Sequence, residues 1–148
     1  MGSEIVLVGV DGSPQSGAAL TYAVAEANRR GARLRVVSTY FPEYAVHGTT
    51  QPLSVSERAI EADVEAQTRR MVEEALAGDA VVPPVDIVVA AGPAAGVLID
   101  MSREADVLVV GHRGRGGFAS MLLGSVGLQS VLHAHCPVIV VRPTGAEE

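Results

Sequence analysis

Five short apolar runs punctuate this chain: Ile5–Val10, Leu34–Thr39, Val85–Ala90, Asp106–Gly111 and Cys136–Val141. They are rich in β-branched residues and do not alternate apolar with polar, which suits strands buried on both faces. Between them lie segments of helical period. Ser13-Pro14 reads as an N-cap followed by proline at the first helical position. Ala19, Leu20, Ala23, Val24 and Ala27 then recur on one face, and Gly31 reads as the C-terminal glycine. Ser54-x-x-Glu57 is a capping box ahead of a helix to about Ala77, with Ile60, Val64, Met71, Val72, Ala75 and Leu76 on its apolar side. Its Glu61, Glu65, Arg69, Arg70, Glu73 and Glu74 read as a solvated face. Gly92-Pro93 opens a helix over Ala94–Arg103, and a last helix spans Ser125–His133.

The order β-α-β-α-β-α-β-α-β predicts an α/β fold, a single doubly wound parallel sheet of five strands with helices on both faces. At 148 residues the chain matches one domain of about 150 residues. The expected organisation is one domain over 1–148, with its core at 3–143, an irregular loop at 41–55 and a tail at 144–148.

Composition removes several function classes. Net charge is −6 and all eleven basic residues are Arg, so there is no bulk attraction for nucleic acid or an anionic membrane. The absence of Lys excludes Schiff-base chemistry and a P-loop lysine. A single cysteine, Cys136, excludes an intrachain disulfide and a Cys-rich metal site. No stretch approaches 18 apolar residues and Met1–Val10 lacks a basic leader region, so a cytoplasmic location is expected.

In such sheets ligands sit beyond the carboxyl ends of the strands, where the strand order reverses. The richest post-strand segment is Gly111-His112-Arg113-Gly114-Arg115-Gly116-Gly117, leading to Gly124-Ser125 at a helix start. Its glycines let backbone N–H groups approach a ligand, its arginines add charge, and the helix start offers free N–H groups to an anion. Ser125 can cap that helix or bind a phosphate oxygen. The residues fit a phosphate cradle or an ordinary β-to-α loop with a Ser N-cap. Gly114-x-Gly116-x-x-Ala119 imitates a dinucleotide fingerprint, but it follows the fourth strand and the next acidic residue is Glu147.

The spacing Gly111-x2-Gly114-x9-Gly124-Ser125 resembles the signature of the ATP-binding branch of the universal stress proteins. The resemblance extends to the opening strand ending in Val10-Asp11-Gly12-Ser13, to Asp106–Gly111, to Leu123–Val126 and to Cys136–Val141. It implies strand order 3-2-1-4-5 and the adenine-nucleotide alpha hydrolase-like fold. It also implies ATP, with Mg²⁺ carried by the nucleotide. By similarity, Gly9, Val10 and Asp11 face the adenosine, Thr39 offers main-chain groups to the adenine edge, and Val110 and Gly111 pack on the adenosine. Arg113, Gly114, Arg115, Gly116 and Gly117 follow the phosphates, and Gly124, Ser125 and Val126 close the cradle. His112 stands where the family commonly has Ser, and departs from the pattern only in its side chain. A homodimer through Val138–Val141 is implied as well.

His133, His135 and Cys136 do not make a metal site, because residues two apart do not share a helix face and further ligands are few. Ser13 beside Asp11 and Ser125 near His112 are the only suggestions of a nucleophile with a base, and both serines have a capping role available. No catalytic residue is assigned. The expected function is an ATP-binding regulator of a stress or dormancy response, with no protein partner identified. The alternatives are a slow ATPase or phosphate-transferring enzyme, or a dimeric scaffold for an AMP-type ligand.

Overall fold

The computed structural model describes residues 3–41, 55–113 and 123–143. Its elements are β1 (Ile5–Gly9), α1 (Pro14–Arg30), β2 (Arg33–Tyr40), α2 (Val55–Leu76), β3 (Val85–Ala91), α3 (Ala94–Met101), β4 (Val107–Gly111), α4 (Ser125–His133) and β5 (Val138–Val141). A 3-10 turn at Ser102–Glu104 replaces the last turn expected of α3. The five strands form one sheet in the order β3-β2-β1-β4-β5, and every pairing is parallel.

Side chains alternate across the sheet because successive Cβ atoms point to opposite faces. Val6 and Val8 of β1, Leu34 and Val36 of β2, and Val107 and Val109 of β4 pack on Ala19, Leu20, Ala23, Val24 and Ala27 of α1 and on Val72 of α2. Leu7, Val37, Leu108 and Val110 pack on Leu98 of α3 on the other face, with Val126 and Ala134 beside them. Burying each Leu or Val side chain contributes about 1.5–3 kcal/mol. The two layers therefore hold the strand ends in fixed register.

Helix α1 ends as its sequence implies. Ser13 Oγ accepts the Ser16 N–H at 3.1 Å, Pro14 fills the first helical position, and Gly31 takes the left-handed conformation at φ 65°. In α2, Glu65, Arg69, Arg70, Glu73 and Glu74 are exposed as expected. Glu61 is half-buried instead, because the Tyr40 hydroxyl donates to its Oε2 at 3.0 Å. Ile60, expected on the apolar side, is exposed. Thr68 takes a core position, its Oγ1 2.7 Å from Ser38 Oγ and bonded to the Val64 carbonyl. Ser54 of the expected capping box and most of the 41–55 loop lie outside the described residues, as does the 144–148 tail. Among the described residues no helix is long and apolar enough to cross a membrane.

Candidate functional site

Parallel strands bring all five carboxyl ends to one edge of the sheet, and the register fixes what meets there. Gly9 lies beside Val37, Val8 beside Val109, and Gly111 beside Val141. The strand order reverses between β1 and β4. The chain leaves β1 for α1 on one face and leaves β4 for α4 on the other, the place where such sheets form a ligand crevice.

The first wall is Asp11-Gly12-Ser13. Gly12 takes φ 84°, a conformation that glycine adopts without steric cost. Asp11 Oδ1 accepts the Ser13 N–H at 2.9 Å, and the Asp11 N–H donates to Ser16 Oγ at 3.2 Å. Ser16 Oγ in turn donates to the Ser13 carbonyl at 3.0 Å. The Asp11 carboxylate is thus held, exposed, at the lip of the crevice. Beneath it Val10 is anchored by its N–H to the Val37 carbonyl at 2.9 Å. Gly9 forms part of the floor, where a Cβ would come within 2.6 Å of Leu98 Cδ1.

The second wall begins at Gly111. A Cβ there would lie 3.0 Å from the main-chain oxygen of Gln15, so β4 and the first turn of α1 touch backbone to backbone. The Arg113 N–H donates to Gln15 Oε1 at 2.8 Å. His112 is buried; its N–H reaches the Val141 carbonyl at 2.8 Å and its carbonyl receives the Gly124 N–H at 2.9 Å. Its ring Nδ1 stands 3.5 Å from Arg113 Nε.

Gly124, not Ser125, is the N-cap of α4, and among the described residues no side chain caps the helix. The cap is the residue whose backbone is still extended, and Gly124 has φ −68° and ψ 167°. Ser125 is the first helical residue and is exposed. The expected capping role of Ser125 is therefore corrected. The first turn of α4, with its N–H groups and the positive end of its dipole, lies beside the end of β4, and among the described residues no side chain caps it, which suits an anion. Gly127 keeps this turn close to β4: a Cβ on it would lie 2.8 Å from Leu123 Cδ1 and 3.6 Å from the Gly111 carbonyl oxygen.

Of the residues singled out in the sequence, Gly9, Val10, Asp11, Val110, Gly111, His112, Arg113, Gly124, Ser125 and Val126 gather at this reversal. The Val10 and Val110 side chains are buried in the core and shape the floor from below. Thr39 stands at the end of β2, paired with Ala90 and farther from the β4 wall. Gly114, Arg115, Gly116 and Gly117 lie outside the described residues. Gln15 and Gly127 belong to the site's framework and were not identified from sequence. A glutamine in the first turn of α1 carries no local signal of a bond to a residue 98 positions away. Among the described residues no three His, Cys, Asp or Glu side chains could hold a metal ion. Cys136 is half-buried, and burial pushes its thiol up.

A family model for the universal stress protein family matches residues 2–142. The chain belongs to that family. Universal stress protein Rv2624c of Mycobacterium tuberculosis is 38% identical over 138 residues, which cover 93% of this chain and 47% of that protein. The chain thus spans about half the length of the curated relatives it matches. Among solved structures, universal stress protein UspA from Lactobacillus plantarum superposes with a TM-score of 0.75 at 26% identity, covering 95% of this chain and 98% of that one. A universal stress protein in complex with cAMP superposes with a TM-score of 0.67 at 27% identity, covering 94% and 96%.

Proposed function

We propose that this universal stress protein binds an adenine nucleotide in the crevice between the β1 and β4 loops and acts as a nucleotide-responsive regulator of a stress response. The observation that carries the reading is the start of α4, whose N-cap Gly124 offers no side chain and which Gly127 lets lie against β4, at the point where the strand order reverses. The related structure with cAMP supports the same ligand class.

Gly9, Val10, Asp11, Thr39 and Val110 take the adenosine end, with the exposed Asp11 carboxylate as its polar contact. Gly111, His112, Arg113, Gly114, Arg115, Gly116 and Gly117 follow the phosphates, and Gly124, Ser125 and Val126 close the cradle. These donors fit a polyphosphate, so ATP is the proposed ligand. Mg²⁺ enters with it, held by phosphate oxygens and water, because the described residues offer no cluster of their own. The chain works as a homodimer joined through β5.

Binding rather than turnover is the proposed role. Ser13 Oγ accepts the Ser16 N–H as the cap of α1, and Asp11 Oδ1 accepts the Ser13 main-chain N–H, so both side chains have structural roles in the turn. Calorimetric titration with ATP, ADP, AMP and cAMP, with and without Mg²⁺, ranks the ligands, and a steady-state phosphate-release assay follows turnover. The proposal expects ATP binding with phosphate release at background. Release well above background, abolished by Asp11→Ala, would make the protein an enzyme. The cAMP-bound relative favours one second reading, a monophosphate ligand, which predicts that AMP or cAMP binds more tightly than ATP.

A further inference from the structure

Helix α2 lies on the sheet in two chemically different halves. Its inward positions recur every three or four residues, as Glu57, Glu61, Val64 and Thr68, then Met71, Val72, Ala75 and Leu76. The last four belong to the apolar core that α1 and α2 share with the sheet, and no described residue of α2 before Met71 does. Polar groups hold the first half instead. The Tyr40 hydroxyl donates to Glu61 Oε2 at 3.0 Å. Ser38 Oγ lies 2.7 Å from Thr68 Oγ1, which also bonds to the Val64 carbonyl at 2.7 Å. Glu57 is buried in the same stripe.

Both strand partners sit at the carboxyl end of β2, where Ser38 pairs with Val89 and Tyr40 with Ala91 of β3. They flank Thr39. Successive side chains of a strand point to opposite faces, so Ser38 and Tyr40 turn toward α2 and Thr39 turns away. A contact of this kind opens more readily than an apolar one. A hydroxyl or carboxylate released from its partner bonds to water, whereas an apolar side chain loses its burial outright. The first half of α2 can therefore part from the sheet while Met71–Leu76 stay packed.

We infer that residues 57–68 of α2 form a strap over the carboxyl end of β2, latched by Tyr40–Glu61 and Ser38–Thr68, and that a nucleotide seated at Thr39 favours its closed state. The ligand in this inference rests on the nucleotide site proposed above; the latch rests on the two side-chain bonds alone. A ligand that engages the main chain of Thr39 fixes the backbone from which both latch hydroxyls project. It shifts the strap only by as much as it prefers the closed arrangement. Occupancy at the sheet edge is thereby reported on the outer surface of α2.

The test is amide hydrogen exchange on the full chain, with calorimetry on the same samples. From residue 59 onward the amides of α2 bond within the helix, so their exchange reports opening. In ligand-free wild type, amides 59–68 are expected to exchange about tenfold faster than amides 71–76. Tyr40→Phe is expected to speed 59–68 about fivefold, the worth of one hydrogen bond, and to leave 71–76 unchanged. Glu61→Gln keeps an acceptor for the Tyr40 hydroxyl and is expected to match wild type. Saturating ATP with Mg²⁺ is expected to slow 59–68 about tenfold in wild type and to lose that effect in Ser38→Ala/Tyr40→Phe. Equal exchange along the wild-type helix, or Tyr40→Phe exchanging as wild type does, overturns the latch. ATP that binds by calorimetry yet leaves 59–68 unchanged overturns the coupling. Absence of ATP binding overturns the nucleotide site and the coupling together, while the ligand-free comparison still decides the latch.

Discussion

The carboxamide Oε1 of Gln15 accepts the main-chain N–H of Arg113 at 2.8 Å, tying the first turn of α1 to the loop that leaves β4. The two residues stand on opposite walls of the crevice, and the bond fixes where the loop after β4 begins. Gln15→Leu removes the acceptor and keeps the size. We expect it to leave the fold intact and to weaken ATP binding about fivefold, the equivalent of about 1 kcal/mol for one hydrogen bond. Calorimetry on the folded variant checks this. Unchanged affinity would show that the loop positions itself without Gln15.

Gly9 and Leu98 make a second long-range fit. A Cβ on Gly9 would meet the Leu98 side chain at 2.6 Å in a core where Leu98 is 2% exposed. Gly9→Ala is expected to cost about 1–3 kcal/mol by overpacking. Leu98→Ala alone costs about 2–5 kcal/mol by leaving a cavity. In the double variant the new methyl enters space that Leu98 vacates, so urea denaturation should show a combined loss smaller than the sum. Strict additivity would contradict the packing described.

Gly111 differs from Gly9 in what opposes it. Its Cβ would meet main-chain oxygen, which cannot rotate away as a side chain can. Gly111→Ala is therefore expected to destabilise the protein by about 1–3 kcal/mol and to disturb ATP binding as well, since the strain falls on the contact between the two walls. Melting temperature and titration measured on the same sample separate the two effects.

Glu26 is 5% exposed on α1 and accepts from Arg30 Nε at 2.6 Å. The Arg30 hydrogen bond, with help from Arg29 and against the effect of burial, holds its carboxyl below the usual 4.5. A depressed folded-state value means that the stabilisation is present above about pH 4.5 and is lost as pH falls through the folded value. Glu26→Gln is expected to lower stability near pH 7 by about 1–3 kcal/mol, with the gap to wild type closing below pH 4.5. Denaturation curves at several pH values test the sign.

Ser130 Oγ is fully buried and has no hydrogen-bond partner among the described residues. A buried hydroxyl left unsatisfied costs free energy that a methyl does not. Ser130→Ala should be neutral or stabilising by up to about 1 kcal/mol in thermal denaturation.

The elements were legible because each carries its own local chemistry. Ser13, Pro14 and Gly31 mark the ends of α1, and the β-branched runs mark strands whose alternate residues both meet helices. Strand ends were less so. Arg33 and Tyr40 extend β2 beyond its apolar run because pairing continues there, Arg33 with Ile5 of β1 and Tyr40 with Ala91 of β3. Asp106 and Cys136 were read as strand and precede β4 and β5, although the Asp106 carboxylate accepts the Ile5 N–H at 2.7 Å. The Gly124–Ser125 start of α4 was readable as a site, but which of the two caps depends on backbone angles that a Gly-Ser pair leaves open. Gln15 and the Gly9–Leu98 contact were not legible at all, since each joins residues some ninety or more positions apart with no periodic pattern to announce it.

The most direct measurement is a calorimetric titration of ATP with Mg²⁺ into nucleotide-free wild type and the Gly114→Val/Ser125→Ala double variant. The account predicts saturable one-site binding to wild type that is lost in the variant at unchanged circular dichroism. Failure of folded wild type to bind, or equal binding by both proteins, would contradict a nucleotide cradle at the start of α4.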